Sequence, residues 1–226
     1  LVIEKNVPAR MRDGVVLRAD VYRPRGEGKR PALLQRTPYS KNPGAADSQF
    51  HRLARAGFVV VVQDTRGRYT SDGVAVPHDE GADGYDTIEW VAALPYVDGR
   101  VGMFGGSYSA TVQLLAAPMK PPHLVALFPS ASYASRFDMV FQGGAFYLGD
   151  GLSWSLGQAK DVRRRMLDPT ADRDGEVRVE RLVARGLTGR MTASAVAHFD
   201  GLSFETATAK LVIGEDEPLP DRKSVV

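Results

Sequence analysis

The sequence predicts an α/β protein built around a mostly parallel sheet. Three observations carry that prediction. The run "FVVVVQD", Phe58 to Asp64, holds four consecutive valines with no polar alternation, as in a strand covered on both faces. Short apolar runs alternate along the chain with stretches of helical spacing, which argues for right-handed crossovers and parallel pairing. Finally, "RVGMFGGSYSA", Arg100 to Ala110, sets Ser107 just after such an apolar run, at a junction from strand to helix.

The elements follow in order. In "MRDGVVLRADVYRP" the pair Asp13-Gly14 is a hairpin turn signal. Beyond it Val16, Arg18, Asp20 and Tyr22 alternate with Val15, Leu17, Ala19 and Val21, the period of a strand. "PALLQRTPY" is a short buried strand running into a proline turn. A helix is expected around Ala46 to Ala56, stopped by Gly57. The valine strand, the loop "TRGRYTSDG" and a helix over Asp83 to Leu94 come next. Ile88, Val91 and Ala92 share one face of that helix, and Asp83 and Asp86 lie near its positive end. "RVGMFG" is a strand, Tyr108 to Ala117 a helix and "LVALFPSAS" a further strand. From Phe137 the chain becomes aromatic-rich and the valine runs stop, which places a domain boundary there.

Bulk properties narrow the function classes. The chain has 226 residues, 43% apolar and 25% charged, with a net charge of +2; these are the proportions of an ordinary globular protein. Arg163-Arg164-Arg165 is too short for a nucleic-acid surface and reads as a solvated helix face. With no cysteine, disulfides, thiolate catalysis and cysteine-ligated zinc are excluded. No apolar run spans a membrane, and no phosphate loop or metal cluster stands out. No cofactor or metal is expected. A cytoplasmic location is the expectation, with secretion left open because the chain begins at Leu1. A homodimer is left open too. The last six residues, "DRKSVV", follow "EPLP" and resemble a translated sequencing adapter. The expectation is that residues 221–226 are a scar and that the native frame is interrupted near Pro220.

Ser107 is read in two ways. A nucleophilic serine at a strand-to-helix turn needs small residues two before and two after, so that strand and helix can approach. Gly105 and Ser109 meet that need. The next residue, Tyr108, begins the helix, where backbone N–H groups lie outside the helical ladder and suit a developing oxyanion. The other reading is a purely structural turn.

The segments "PARMRDGVVLRADVYRP", "RTPYSK", "QDTRGRYTSDG", "DEGADGYDTIEWVAALPYVDGRVGMFGGSYSA" and "GLSWSLGQA" occur in that order. Together they resemble the family of cocaine esterase, α-amino-acid ester hydrolases and X-prolyl dipeptidyl peptidases, from Pro8 to about Lys160. The resemblance implies an α/β-hydrolase core over residues 1–136 with a helical cap inserted over 137–220, incomplete at the carboxyl end. It implies hydrolysis of a small ester or peptide amide through an acyl-enzyme on Ser107. Tyr108 N–H and the Tyr39 hydroxyl fall on the oxyanion-hole donors. Trp154, Phe146 and Tyr147 fall where the family's cap lines the acyl pocket, or they are simply cap core. Ala110 stands where the family usually has glycine.

The resemblance leaves the triad acid and histidine open. His51 and His78 precede the serine, and His123 reads as a turn residue. His198 is late enough in chain order but no acid strand precedes it, and no histidine follows Glu217. Acid and base are therefore expected outside this chain, which would leave it weakly active or inactive. Esterase or acylase chemistry is preferred over dipeptidyl-peptidase chemistry, because no site for a free amino terminus is legible. The alternative is a non-catalytic α/β-hydrolase-fold binding module. Asp64 and Arg66 read as an ion pair that holds a loop, and Trp90 as packing.

Overall fold

The computed structural model describes residues 1–42, 49–76, 79–133, 135–143, 145–166, 175–186, 189–200 and 203–214. The chain divides into two compact units, Leu1–Ala134 and Ser135–Val226.

The first unit is a six-stranded sheet with helices on both faces. Strand β1 (Val2–Arg10) turns at Asp13-Gly14 into β2 (Val16–Arg23), antiparallel to it. Gly14 takes φ +88° there, a conformation that favours glycine. Strands β3 (Arg30–Thr37), β4 (Val59–Asp64), β5 (Val97–Gly106) and β6 (Leu124–Ser130) complete the order β1-β2-β4-β3-β5-β6. β2 meets β4 antiparallel, and the β4-β3-β5-β6 pairings are all parallel. The expected mostly parallel α/β sheet is what forms.

The valine run explains why β4 is central. All six of its residues are buried, and its side chains alternate between two cores. Val59 and Val61 join Ile88 and Val91 of helix α2 (Gly81–Ala92), whereas Val60 and Val62 join Phe50 and Ala54 of α1 (Gln49–Arg55). Through Val59–Val62 a strand of period two lies between two apolar layers, and only its carboxyl end, Gln63 and Asp64, is polar. Helix α3 (Tyr108–Ala116) follows β5 directly and contributes Ala116 to the core shared with α2. Trp90 packs, half-buried, against that same core.

The second unit begins with α4 (Arg136–Val140), a hairpin of β7 (Phe141–Gln142) and β8 (Ala145–Phe146), and α5 (Leu148–Met166). Where a helical cap was expected to continue, residues 175–214 form three antiparallel strands: β9 (Gly175–Gly186), β10 (Gly189–Asp200) and β11 (Ser203–Gly214). The reason is a period of two that charged residues obscure in the sequence. Register sets Val177 opposite Ala197 and Ala197 opposite Ala207, and it likewise sets Ala184 opposite Met191 and Met191 opposite Ile213. Among the described residues no helix is long and apolar enough to cross a membrane.

Candidate active site

The site is built at the carboxyl ends of β3, β4 and β5. Leu34 on β3 lies opposite Met103 on β5, and three residues further that register sets Thr37 level with Gly106. Two loops thus leave the sheet side by side, one carrying Tyr39 and the other Ser107.

Ser107 occupies the single step between β5 and α3, at φ 56° and ψ −127°, a combination outside the regions open to most L-residues. Its N–H donates to Ser130 O at 3.1 Å, and its carbonyl accepts Ala110 N at 2.9 Å. The turn is therefore held by β6 on one side and by the first turn of α3 on the other. Its side chain is exposed. Tyr39 Oη lies 3.2 Å from Ser107 Oγ, although 68 residues separate them in the chain. Tyr108 is the first residue of α3, so its N–H lies outside the helical ladder, on the residue next to the serine.

Gly105 shows why the elbow demands small neighbours. A Cβ added there would lie 2.7 Å from Ser109 Cβ, and the residue sits at φ +135°. Gly105→Ala is expected to cost about 1–3 kcal/mol in backbone strain and about 1–3 kcal/mol in overlap. A lowered urea midpoint at unchanged slope checks it. Ala110, where the resemblance leads to an expectation of glycine, is fully buried.

Comparison with known proteins bears on this geometry. A sequence model of the X-Pro dipeptidyl-peptidase family (S15 family) matches residues 13–206. The chain belongs to this S15 family. It is 40% identical over 160 residues to the cocaine esterase of Rhodococcus sp. (strain MB1 Bresler), covering 68% of this chain and 28% of that protein. The chain thus spans a little over a quarter of the length of that curated relative. A crystal structure of a CocE/NonD family hydrolase from Staphylococcus aureus superposes with TM-score 0.65 at 27% identity, over 71% of this chain and 33% of that one. An aminopeptidase from a marine sediment Thaumarchaeota archaeon superposes with TM-score 0.61 at 28% identity, over 70% and 30%. With these relatives, the sheet order and the parallel core are those of an α/β hydrolase.

Beneath the S15 elbow lies a buried polar network that the sequence did not reveal. Tyr108 Oη donates to Glu80 Oε1 at 2.5 Å, and both residues are buried. Arg36, fully buried on β3, donates to Glu80 O at 3.0 Å and to Gln63 Oε1 at 2.9 Å. Burial pushes its guanidinium below the ordinary arginine value, against the pull of Asp83 and Glu80. The network therefore joins β3, β4 and the start of α2 to the residue after the serine. Tyr108→Phe takes this donor from a buried Glu80 oxygen, and a loss of about 1–3 kcal/mol in unfolding free energy is expected. Gln113, also fully buried, holds the elbow from the other side. Its Nε2 donates to Ser109 O at 2.9 Å and to Gly105 O at 3.3 Å, and its Oε1 accepts Phe128 N at 3.2 Å. A lone glutamine within "YSATVQLLA" was the available signal.

The remaining sequence candidates fall elsewhere. His123 precedes β6 and pairs with Glu89 at 2.7 Å. Leu124 lies opposite Val101, so His123 sits about 20 Å of strand from Ser107. His51 is on α1 with its ring edge against Tyr22 at 5.2 Å. His198 lies in β10, while His78 and Glu217 lie outside the described residues. Among the described residues Tyr39 is the side chain hydrogen-bonded to Ser107 Oγ. Phe146 is in β8, Tyr147 follows it, and Trp154 is on α5; Tyr147 and Trp154 are exposed. Asp64 and Arg66 do not pair with each other. Asp64 takes Lys41 at 2.8 Å, and Arg66 takes Asp83 at 2.6 Å and Asp13 at 2.7 Å. The chain turns after Asp64, which sends the two side chains to different partners.

Proposed function

We propose that this chain carries the nucleophile and the oxyanion hole of a serine hydrolase that cleaves an ester or amide through an acyl-enzyme. The observation that carries the reading is the Tyr39 hydroxyl 3.2 Å from Ser107 Oγ, on a serine whose backbone is held at φ 56°. Strain of this kind costs about 1–3 kcal/mol and persists where the surroundings impose it, commonly at reactive sites. Ser107 Oγ attacks the substrate carbonyl carbon, and the π pair moves to the carbonyl oxygen. Tyr39 O–H and Tyr108 N–H donate to that oxygen as it gains charge. Collapse of the intermediate restores the carbonyl and expels the alcohol or amine, leaving the acyl group on Ser107. The proton leaving Oγ requires a base, which serine triads supply as histidine; His51 and His123 are directed elsewhere. An ester is the favoured substrate, since the 40% identical relative is a cocaine esterase.

A fluorophosphonate probe tests the reading without needing a complete catalytic cycle. Ser107 Oγ forms a bond to phosphorus, fluoride leaves, and the hydroxyl proton passes to solvent or a base. Mapping the label to the peptide holding Ser107 supports the reading. Absence of label from folded protein at long incubation would leave the binding-module alternative in its place.

A further inference from the structure

We propose that Asp64 is a positioning residue for the Tyr39 hydroxyl, acting through Lys41. The inference rests on the reading of Ser107 as nucleophile and Tyr39 as oxyanion donor, and names what holds that donor in place.

Tyr39 lies in the turn that follows β3, and the place of its hydroxyl depends in part on the main chain that carries it. The next residue, Ser40, has φ +80°, which a non-glycine residue adopts only when its flanks are held. Both flanks are held, and both lead to the end of β4. On the first, Thr37 O accepts Thr65 N at 3.0 Å, Thr37 Oγ1 accepts Tyr39 N at 3.0 Å, and Pro38 O accepts Arg68 Nε at 3.3 Å. On the second, Lys41 delivers two donors to one carboxylate. Its N–H reaches Asp64 Oδ1 at 2.7 Å and its Nζ reaches Asp64 Oδ2 at 2.8 Å. Thr70 completes the carboxylate, its hydroxyl donating to Oδ2 at 2.9 Å and its N–H at 3.3 Å, while Lys41 Nζ also donates to Thr70 Oγ1.

The placement of this pair matters more than its strength. Asp64 is the last residue of the fully buried strand β4, in register with Thr37. Its side chain is 0% exposed and that of Lys41 5%. A buried ion pair is weak evidence for stability, because desolvation offsets most of the attraction. This one instead ties the main chain two residues past Tyr39 to the fully buried strand of the sheet. A displacement of the phenol by about 1 Å is enough to cost on the order of 10²-fold in rate.

The test is a double-mutant cycle read by the bond-forming rate of Ser107 phosphonylation at saturating probe. Asp64→Asn keeps the shape of the carboxylate and removes its charge. It should slow that step by about 10–100-fold, with probe affinity and the final labelled fraction unchanged. Tyr39→Phe should slow it about 10²–10³-fold, and the double variant should be no slower than Tyr39→Phe alone. A merely structural Asp64 would lower the labelled fraction and leave the rate of the folded molecules untouched. An Asp64→Asn rate equal to wild type, or a double variant showing the product of the two single effects, overturns the inference alone. Wild-type protein that never labels at Ser107 overturns the nucleophile reading and the inference with it. If Asp64→Asn does not fold, Thr70→Val takes its place. That variant keeps both members of the ion pair, removes the hydroxyl that contacts the carboxylate and Lys41 Nζ, and should show a smaller slowing that again vanishes in the Tyr39→Phe background.

Discussion

Ser107→Gly is expected to abolish phosphonylation and, at the same time, to raise the stability of the protein. Loss of reaction follows from loss of the oxygen that attacks. The gain in stability follows from the backbone. At φ 56° and ψ −127° the Cβ of serine is crowded, and strain of about 1–3 kcal/mol is stored there. Glycine relieves it, while its greater freedom in the unfolded chain returns about 0.4–1 kcal/mol. A net rise of about 1 kcal/mol in unfolding free energy should appear as a higher urea midpoint at unchanged slope. Ser107→Ala separates the two effects. It loses the reaction equally but keeps the Cβ, so its midpoint should stay near that of the wild type. If glycine and alanine shift the midpoint alike, the strain is not real.

Tyr39→Phe is the second large effect. A phenol O–H can donate to an oxygen as it becomes charged. Removing one oxyanion donor costs about 2.7–4 kcal/mol of the barrier, or about 10²–10³-fold in rate. The loss should fall on the bond-forming step rather than on probe affinity, because the charge exists only as the bond forms. Stability should move by less than about 0.5 kcal/mol, since the Tyr39 side chain is exposed. Phosphonylation time courses at several probe concentrations separate the two terms. An unchanged rate would mean that the 3.2 Å approach to Ser107 has no part in the chemistry.

Much of the core was legible because its signals are local. Four valines between Phe58 and Gln63 announce a strand between two layers, and Asp13-Gly14 announces the first hairpin. The elbow was legible for the same reason, since Gly105, Ser107 and Ser109 carry its steric demands within five residues. The meeting of Tyr39 with Ser107 was not. It depends on β3 lying beside β5 although β4 follows β3 in the chain, and no residue pattern states that order; family resemblance alone supplied it. Ion pairs failed for a related reason. Asp64 and Arg66 are neighbours in sequence, but the turn at Thr65 separates them; Lys41 reaches Asp64 from the loop after β3, and Asp83 reaches Arg66 from the first turn of α2. In residues 175–214 the segment "GEVRVERLVARG" supports both a helical and an alternating pattern. Only pairing with β10 resolves it.

Among the described residues β6 is an outer strand of the sheet, and this has a practical consequence. On β6 the side chains of Val125 and Phe128 are 60% and 71% exposed, and Leu114 on α3 is 42% exposed. Apolar groups on an outermost strand favour edge-to-edge sticking, and excluded salts such as sulfate and phosphate strengthen it. Dilute stocks in chloride buffers will therefore keep the protein clear for longer than concentrated ones in phosphate.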